Sequence, residues 1–238
     1  MMYVIIGGSN GLGLAFAQEL SKLNYNLIIY DIIKPSIDIK NCQYKKIDLS
    51  KDDISCLQED ISNSNGLIYT AGIGKVKQFN EIDFQEIDRT INVNLNSLIK
   101  VITMCSDKLL SNDNFDCMCI SSIAGLVSSP LFSVYSASKA GVCKYVEAVN
   151  TELIKMNSKN RITNVVATAF KGTGFNGLKT DLKELNNLSL ELLDAMNNKE
   201  IIHKVNENLI NSIIARYNES PSKFSLESYD YKINKGRL

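Results

Sequence analysis

The 238-residue chain contains no tryptophan, only three prolines and a single histidine, His203, and each scarcity closes off something. The three prolines come with no Pro/Ser-rich stretch, repeat, low-complexity tract or break in composition, so nothing divides the chain into separate units. Neither sign of charge is in excess: 26 basic residues face 26 acidic ones, and no dense basic run interrupts the balance. No global field would therefore attract nucleic acid or an anionic membrane. No apolar run is long enough to span a bilayer. The opening Tyr3-Val4-Ile5-Ile6 is too short, and lacks the basic lead, of a signal peptide. The expectation is a soluble, cytoplasmic protein with no nucleic-acid and no membrane partner.

The six cysteines (Cys42, Cys56, Cys105, Cys117, Cys119 and Cys143) include no C-x-x-C pair. A metal centre would need more ligands than these and one histidine supply, so no metal site is expected and the thiols read as buried and reduced. Cys117 and Cys119 alternate in an apolar run, which on a strand points both to one face. His203 lies in a polar helical pattern and reads as an ordinary surface or groove residue.

What is present is alternation. Short apolar runs at 3–6, 27–30, 44–47, 67–70, 117–121 and 162–167, with a weaker one at 225–231, are separated by helical patterns at 11–23, 51–61, 83–110, 135–157 and 199–217. Strands alternating with helices imply parallel pairing, right-handed crossovers and helices on both faces of the sheet. The fold class is α/β, a Rossmann-type doubly wound parallel sheet of about seven strands in a single domain over 1–238. Residues 170–198, rich in Gly, Lys, Asn and Leu, read as a lid or binding loop at the carboxyl end of the sheet.

Gly7-Gly8-Ser9-Asn10-Gly11-Leu12-Gly13 follows the first strand and opens the first helix. Glycines there let the backbone turn sharply and approach a pyrophosphate, while the helix start offers unpaired N–H groups. The spacing is G-x-x-x-G-x-G rather than G-x-G-x-x-G. Gly7, Ser9, Asn10, Gly11, Leu12 and Gly13 are the expected phosphate-end contacts. Asp31 ends the second strand, eighteen residues after Gly13. Its carboxylate can accept from both adenosine ribose hydroxyls and repels a 2′-phosphate, which favours NAD over NADP. The glycine loop holds no Arg or Lys for that phosphate, and Lys34 is the nearby cation that would suit it. Asp48, followed by Leu49, is placed either to meet the adenine or to cap the next helix. Gly7-x-Ser9-x-Gly11 also fits a nucleophile elbow, but only eight residues precede Ser9, and such a nucleophile sits in mid-sheet after several strands.

Tyr135 and Lys139 stand four apart, on one helix face. Ser122 lies thirteen residues upstream, in Ile120-Ser121-Ser122-Ile123-Ala124-Gly125, and Asn94 lies in Asn92-Val93-Asn94-Leu95. In this order and spacing, with the glycine loop, the chain resembles the short-chain dehydrogenase/reductase family in its shorter single-domain branch, over roughly residues 3–165. The resemblance implies that Tyr135 is the acid/base and that Lys139 favours its phenolate and holds the nicotinamide ribose. It further implies that Ser122 orients the substrate oxygen and that Asn94 helps position a water linking Lys139 to solvent. Ala71 and Gly72 would allow backbone to approach the cofactor, and Thr173 would reach the nicotinamide amide. Ser122, Ala124, Phe132, Tyr135 and the loop from Phe170 would line the pocket of a small carbonyl or alcohol substrate.

The sequence departs from that family in places. Ile6 replaces the threonine before the first glycine, Tyr69-Thr70 the asparagines before Ala71-Gly72, and Ala167-Thr168 a Pro-Gly after the sixth strand. The end, Lys235-Gly236-Arg237-Leu238, lacks the usual glycine pair. These departures leave room for a sensor that holds a dinucleotide without turning it over. An NAD-retaining epimerase or dehydratase on a sugar-like substrate is a second alternative, for which 238 residues leave little space. The helical patterns at 83–110 and 135–157 are apolar on more than one side, from which a homodimer or homotetramer is expected.

Overall fold

The computed structural model describes residues 1–169 and 180–235. Seven strands form one parallel sheet in the order β3-β2-β1-β4-β5-β6-β7. They are β1 Met2–Ile6, β2 Asn26–Asp31, β3 Cys42–Lys46, β4 Gly66–Tyr69, β5 Asp116–Ile120, β6 Ile162–Val166 and β7 Ile202–Lys204. The order reverses between β1, which pairs Ile5 with Ile29 of β2, and β4, where Ile68 faces Ile5 from the other side. A crevice opens at such a reversal, beyond the carboxyl ends of the strands.

Alternation along each strand builds two apolar layers. Val4 and Ile6 of β1, Tyr69 of β4, and Cys117 and Cys119 of β5 face one layer. That layer is closed by the helices α2 Leu57–Ser62, α4 Ser97–Met104 and α6 Ser133–Lys155. Tyr3 and Ile5, Ile68 and Met118 face the other. It is closed by α1 Gly11–Lys22, through Leu12, Phe16 and Leu20, and by α7 Leu182–Asn197, through Leu185, Leu192 and Met196. Phe16 is fully buried, so truncating it to alanine would cost about 3–5 kcal/mol. Both helices run back against the strands, so both begin at the crevice.

Several expectations are corrected. The seventh strand is not 225–231: that segment belongs to α9, Pro221–Asn234, where Pro221 supplies a pre-set φ at the first helical turn. The strand is β7, whose three residues fall within the expected helix 199–217, and the helix there is only α8, Glu207–Glu219. His203 therefore sits on a strand, between the carboxylates of Glu191 (2.9 Å) and Glu200 (2.8 Å). The expected helix 51–61 is shortened to α2, because Asp53 accepts from Ser55 N and Oγ and holds a turn instead. The pattern at 83–110 breaks into α3 Phe84–Ile91, a wider π-helical turn over Asn92–Asn96, α4, and α5 Ser106–Leu110.

The segment 170–198 is not all loop, since α7 fills its second half. Asp181 caps α7 by accepting from Lys183 N (3.0 Å). Cys56 is exposed and Cys42 half-buried, so burial of the thiols holds only for the other four. No helix among the described residues is long and apolar enough to cross a membrane.

Candidate active site

After β1 the backbone turns at Gly7, whose φ is +85°, where a Cβ would lie 2.6 Å from Ala71 N. Only glycine fits both the conformation and the close approach. A side chain at Gly13 would overlap the Gly7 carbonyl. Beneath this loop the Thr70 hydroxyl is shared between the carbonyls of Ile6 (3.1 Å) and Gly7 (2.9 Å). Asn10 precedes α1 without capping it by its side chain, so the N–H groups at the helix start are left for partners from across the crevice. Gly11 N donates to Thr180 Oγ1 (2.8 Å), just before α7.

The carboxylate of Asp31 accepts from Ser9 N (2.9 Å) and Ile32 N (2.7 Å), which fixes it beside the glycine loop. Asp48 does not cap α2, which begins nine residues later; it accepts from Ser50 N (3.0 Å) and Ser50 Oγ (2.6 Å) in a turn of its own. Those hydrogen bonds hold its carboxyl below the usual range.

The other end of the crevice is built by β4, β5, α6 and the π-helical turn. Asn94, fully buried in that turn, accepts from Ile73 N (2.8 Å) and donates to Ile73 O (2.8 Å) and Ser138 Oγ (2.9 Å). It clamps the loop after β4 onto α6. The turn itself is held by Tyr69, whose hydroxyl bonds the Val93 carbonyl (2.7 Å) and Ser97 Oγ (2.7 Å). Wider helical turns leave a carbonyl in need of such a partner.

Ser122 Oγ accepts from Ala124 N (3.1 Å), and its hydroxyl is close enough to the Tyr135 phenol to act on it. With the Ala124 N–H on one lone pair, the single Ser122 hydrogen is the one it offers toward the Tyr135 oxygen, which is the sense in which it lowers the phenol. Lys139 Nζ donates to the Ile120 carbonyl (2.8 Å) and lies 5.8 Å from the centre of the Tyr135 ring. Burial pushes the Tyr135 phenol up to about 12, against a lowering by Ser122. Burial likewise pulls the Lys139 ammonium down to about 8. The phenol is thus shifted upward by burial, and the group that lowers it is Ser122 rather than the Lys139 ammonium named in the expectation.

One crevice of 1310 Å³ runs from Asp31 and Gly11 past Gly72 to Ser122, Tyr135 and Lys139. This exceeds the roughly 300–1,000 Å³ of drug-sized pockets, as a dinucleotide and a substrate together would require. Residues 2–182 match the family model for short chain dehydrogenase. The chain belongs to the short-chain dehydrogenase/reductase family. Among relatives, it is 28% identical over 176 residues to the dehydrogenase RED2 of Cochliobolus heterostrophus, covering 70% of this chain and 66% of that one. The chain spans between about half and two thirds of the length of the first curated relatives it matches. Its fold is similar to a short-chain dehydrogenase from Streptomyces avermitilis (TM-score 0.79, 16% identity, 99% and 98% of the two chains). It is also similar to a short-chain dehydrogenase/reductase from Burkholderia phymatum in complex with NAD (TM-score 0.75, 15% identity, 100% and 95%).

Within this short-chain dehydrogenase/reductase, the crevice brings together most of the residues singled out from sequence. Gly7, Asn10, Gly11, Leu12, Gly13, Asp31, Asp48, Leu49, Ala71, Gly72, Ser122, Tyr135 and Lys139 all line it, as do Ala124 and Phe132. Ser9 does not: it is fully buried beneath the loop and contributes its N–H to Asp31. Asn94 stands behind the wall, with both amide hydrogens spent inside the protein. Thr173 and Phe170 lie outside the described residues. Among the residues of the crevice that were missed are Thr70, Gly74 and Thr180. Thr70 carries a signal, as the polar residue where the family pattern breaks; Gly74 and Thr180 carry none, because their contacts are across the fold.

Proposed function

We propose that this protein is an NAD(H)-dependent oxidoreductase that interconverts an alcohol and a ketone or aldehyde. The observation that carries the reading is the placement of Ser122, Tyr135 and Lys139 together on one crevice that continues to the start of α1, with Ser122 close enough to the Tyr135 phenol to lower it. When bound, the dinucleotide would supply or accept the hydride. The chain's residues fit it: the N–H groups opening α1 suit the pyrophosphate, Asp31 the adenosine ribose, and Lys139 the nicotinamide ribose. The carboxylate of Asp31, followed by Ile32 and Ile33 rather than a cation, supports NAD over NADP.

The rest follows from the side chains. Ser122 donates to the substrate oxygen and holds it beside Tyr135. A phenol pushed up to about 12 is protonated at neutral pH, so the resting site is set to give a proton, as carbonyl reduction requires. The Lys139 ammonium, largely charged at pH 7 with its value near 8, then stabilises the phenolate left behind. The reading also carries assembly as a homodimer or homotetramer, tested by light scattering. The deciding experiment is Tyr135→Phe against a panel of ketones and aldehydes with NADH. Loss of the proton donor should lower kcat by about 10²–10⁴-fold while NADH still binds; undiminished turnover would refute the assignment.

A further inference from the structure

Just before α6 the chain makes a tight turn at Ser129-Pro130-Leu131-Phe132, with Phe132 N donating to Ser129 O (3.1 Å). Leu131 sits at φ +63°, a left-handed conformation that a bulky side chain disfavours. Such strain persists only where the surroundings impose it. Two neighbours impose it here. Lys77 N, from the loop after β4, donates to the Leu131 carbonyl (2.9 Å). From the far end of the chain, Lys232 Nζ in α9 donates to Ser129 Oγ (2.8 Å) and to the Pro130 carbonyl (2.6 Å).

Lys232 is 8% exposed. A buried ammonium is costly unless its hydrogens are placed, and two of them are placed on this turn. The turn also sets the active site. Ser129 and Phe132 line the crevice, and the Phe132 ring lies 4.4 Å from the Tyr135 ring.

We propose that Lys232 is a positioning residue: it latches the C-terminal helix onto the 129–132 turn and thereby holds Phe132 against Tyr135. The residue lies beyond the 2–182 stretch that matches the family model, so this wall of the site is held from the far end of the chain. The proposal rests on the reading of Tyr135 as the proton donor.

The test compares Lys232→Met, Lys232→Arg and the unaltered full chain. Hydrogen exchange is followed by mass spectrometry over peptides spanning 126–136 and residue 77. Lys232→Met should speed exchange in those peptides by about tenfold, the worth of one to two charge-assisted hydrogen bonds, and leave β1 and β4 unchanged. Lys232→Arg should restore protection. With NADH and whichever ketone or aldehyde of the panel is reduced, Lys232→Met should lower kcat several-fold. Its NADH dissociation constant, read from cofactor fluorescence, should stay within about twofold of the unaltered chain, because the glycine loop is untouched.

Unchanged exchange at 126–136 in Lys232→Met overturns the latch, whatever the activity. Altered exchange with unchanged kcat overturns the positioning role. If no ketone or aldehyde is reduced, exchange alone decides, and it is the reading of Tyr135 that fails.

Discussion

Gly74→Ala isolates the geometry of the proton donor. The backbone at Gly74 is not in the left-handed region, so alanine meets no conformational penalty; the obstacle is space. A Cβ there would stand 2.7 Å from Tyr135 Cδ2 and 3.1 Å from Phe132 Cζ. Carbon atoms rest at about 3.5–4.0 Å, so something must give by roughly 1 Å. The loop is poorly placed to yield. Asn94 grips both the N–H and the carbonyl of Ile73 (2.8 Å each), and Lys77 is tied through its N–H to Leu131 (2.9 Å) and through its ammonium to Glu86 (2.7 Å). The Tyr135 ring therefore moves, and its hydroxyl leaves Ser122.

A displacement of about 1 Å at a reacting group costs on the order of 100-fold in rate, and the overpacking itself about 1–3 kcal/mol of stability. The assay is steady-state reduction of a carbonyl with NADH, with the NADH dissociation constant and a thermal melt measured on the same sample. The expected pattern is a kcat lowered about 100-fold, an affinity for NADH within about threefold, and a melting temperature lowered by several degrees. A folded variant with kcat within threefold of the unaltered chain refutes the argument. So does a loss of NADH affinity matching the loss of kcat, since that would mean the loop had moved instead of the ring.

Two further outcomes are expected. Thr180→Val should tighten NADH binding about two- to tenfold, because the Thr180 hydroxyl occupies the Gly11 N–H that would otherwise be offered to a bound pyrophosphate, and a net hydrogen bond is worth about 0.5–1.5 kcal/mol; weaker binding would show that the hydroxyl serves the cofactor. Lys139 makes stability depend on pH. Its folded value of about 8 lies below the ordinary 10.5, so between the two the unfolded chain holds the extra proton and stability rises with pH. The full penalty of burying the ammonium, on the order of 3 kcal/mol, is present below pH 8. Lys139→Met removes it, so the melting temperature of the unaltered chain minus that of the variant should increase from pH 7 to pH 10; a constant difference would sink the reasoning.

How much of this was legible in sequence follows from how local each determinant is. The turn at Gly7 and the opening of α1 are local: glycines at 7, 11 and 13 have few other reasons to follow a strand. Tyr135, Lys139 and Ser122 are nearly so, because one helix and the strand end beside it carry all three. The seventh strand was hidden because β7 has three residues and exists by pairing Asn164 with Ile202 and Val166 with Lys204. The opposite error occurred at α9. Leu226, Tyr229 and Tyr231 mimic a strand, yet all three face solvent, and the inward side chain is Lys232. The role of Asp48 was undecidable from sequence, since a carboxylate that starts a turn and one that starts a helix look alike until Ser50 is seen to occupy it. Thr180 could be placed only once α1 and α7 were known to begin side by side.

The departures from the family pattern turn out to be coupled. Ile6 removes a hydroxyl from the end of β1, and its side chain joins the apolar layer under α4 and α6 instead. The polar strut reappears one strand away: Thr70, where the pattern has an asparagine, reaches back to the Ile6 and Gly7 carbonyls. Tyr69 beside it, fully buried, spends its hydroxyl on Val93 O, the carbonyl released by the π-helical turn that carries Asn94. The Thr70 and Tyr69 hydroxyls thus add side-chain donors to carbonyls that backbone and Ser97 donors also reach, Ile6 O from Thr70 N (2.8 Å) and Val93 O from Ser97 Oγ (3.0 Å), each such bond contributing about 0.5–1.5 kcal/mol. A motif compared position by position records three losses here. Compared by which carbonyl is satisfied from which strand, the support of the glycine loop and of the Asn94 turn is intact, and a site supported on both sides in this way is built to hold a ligand in one place.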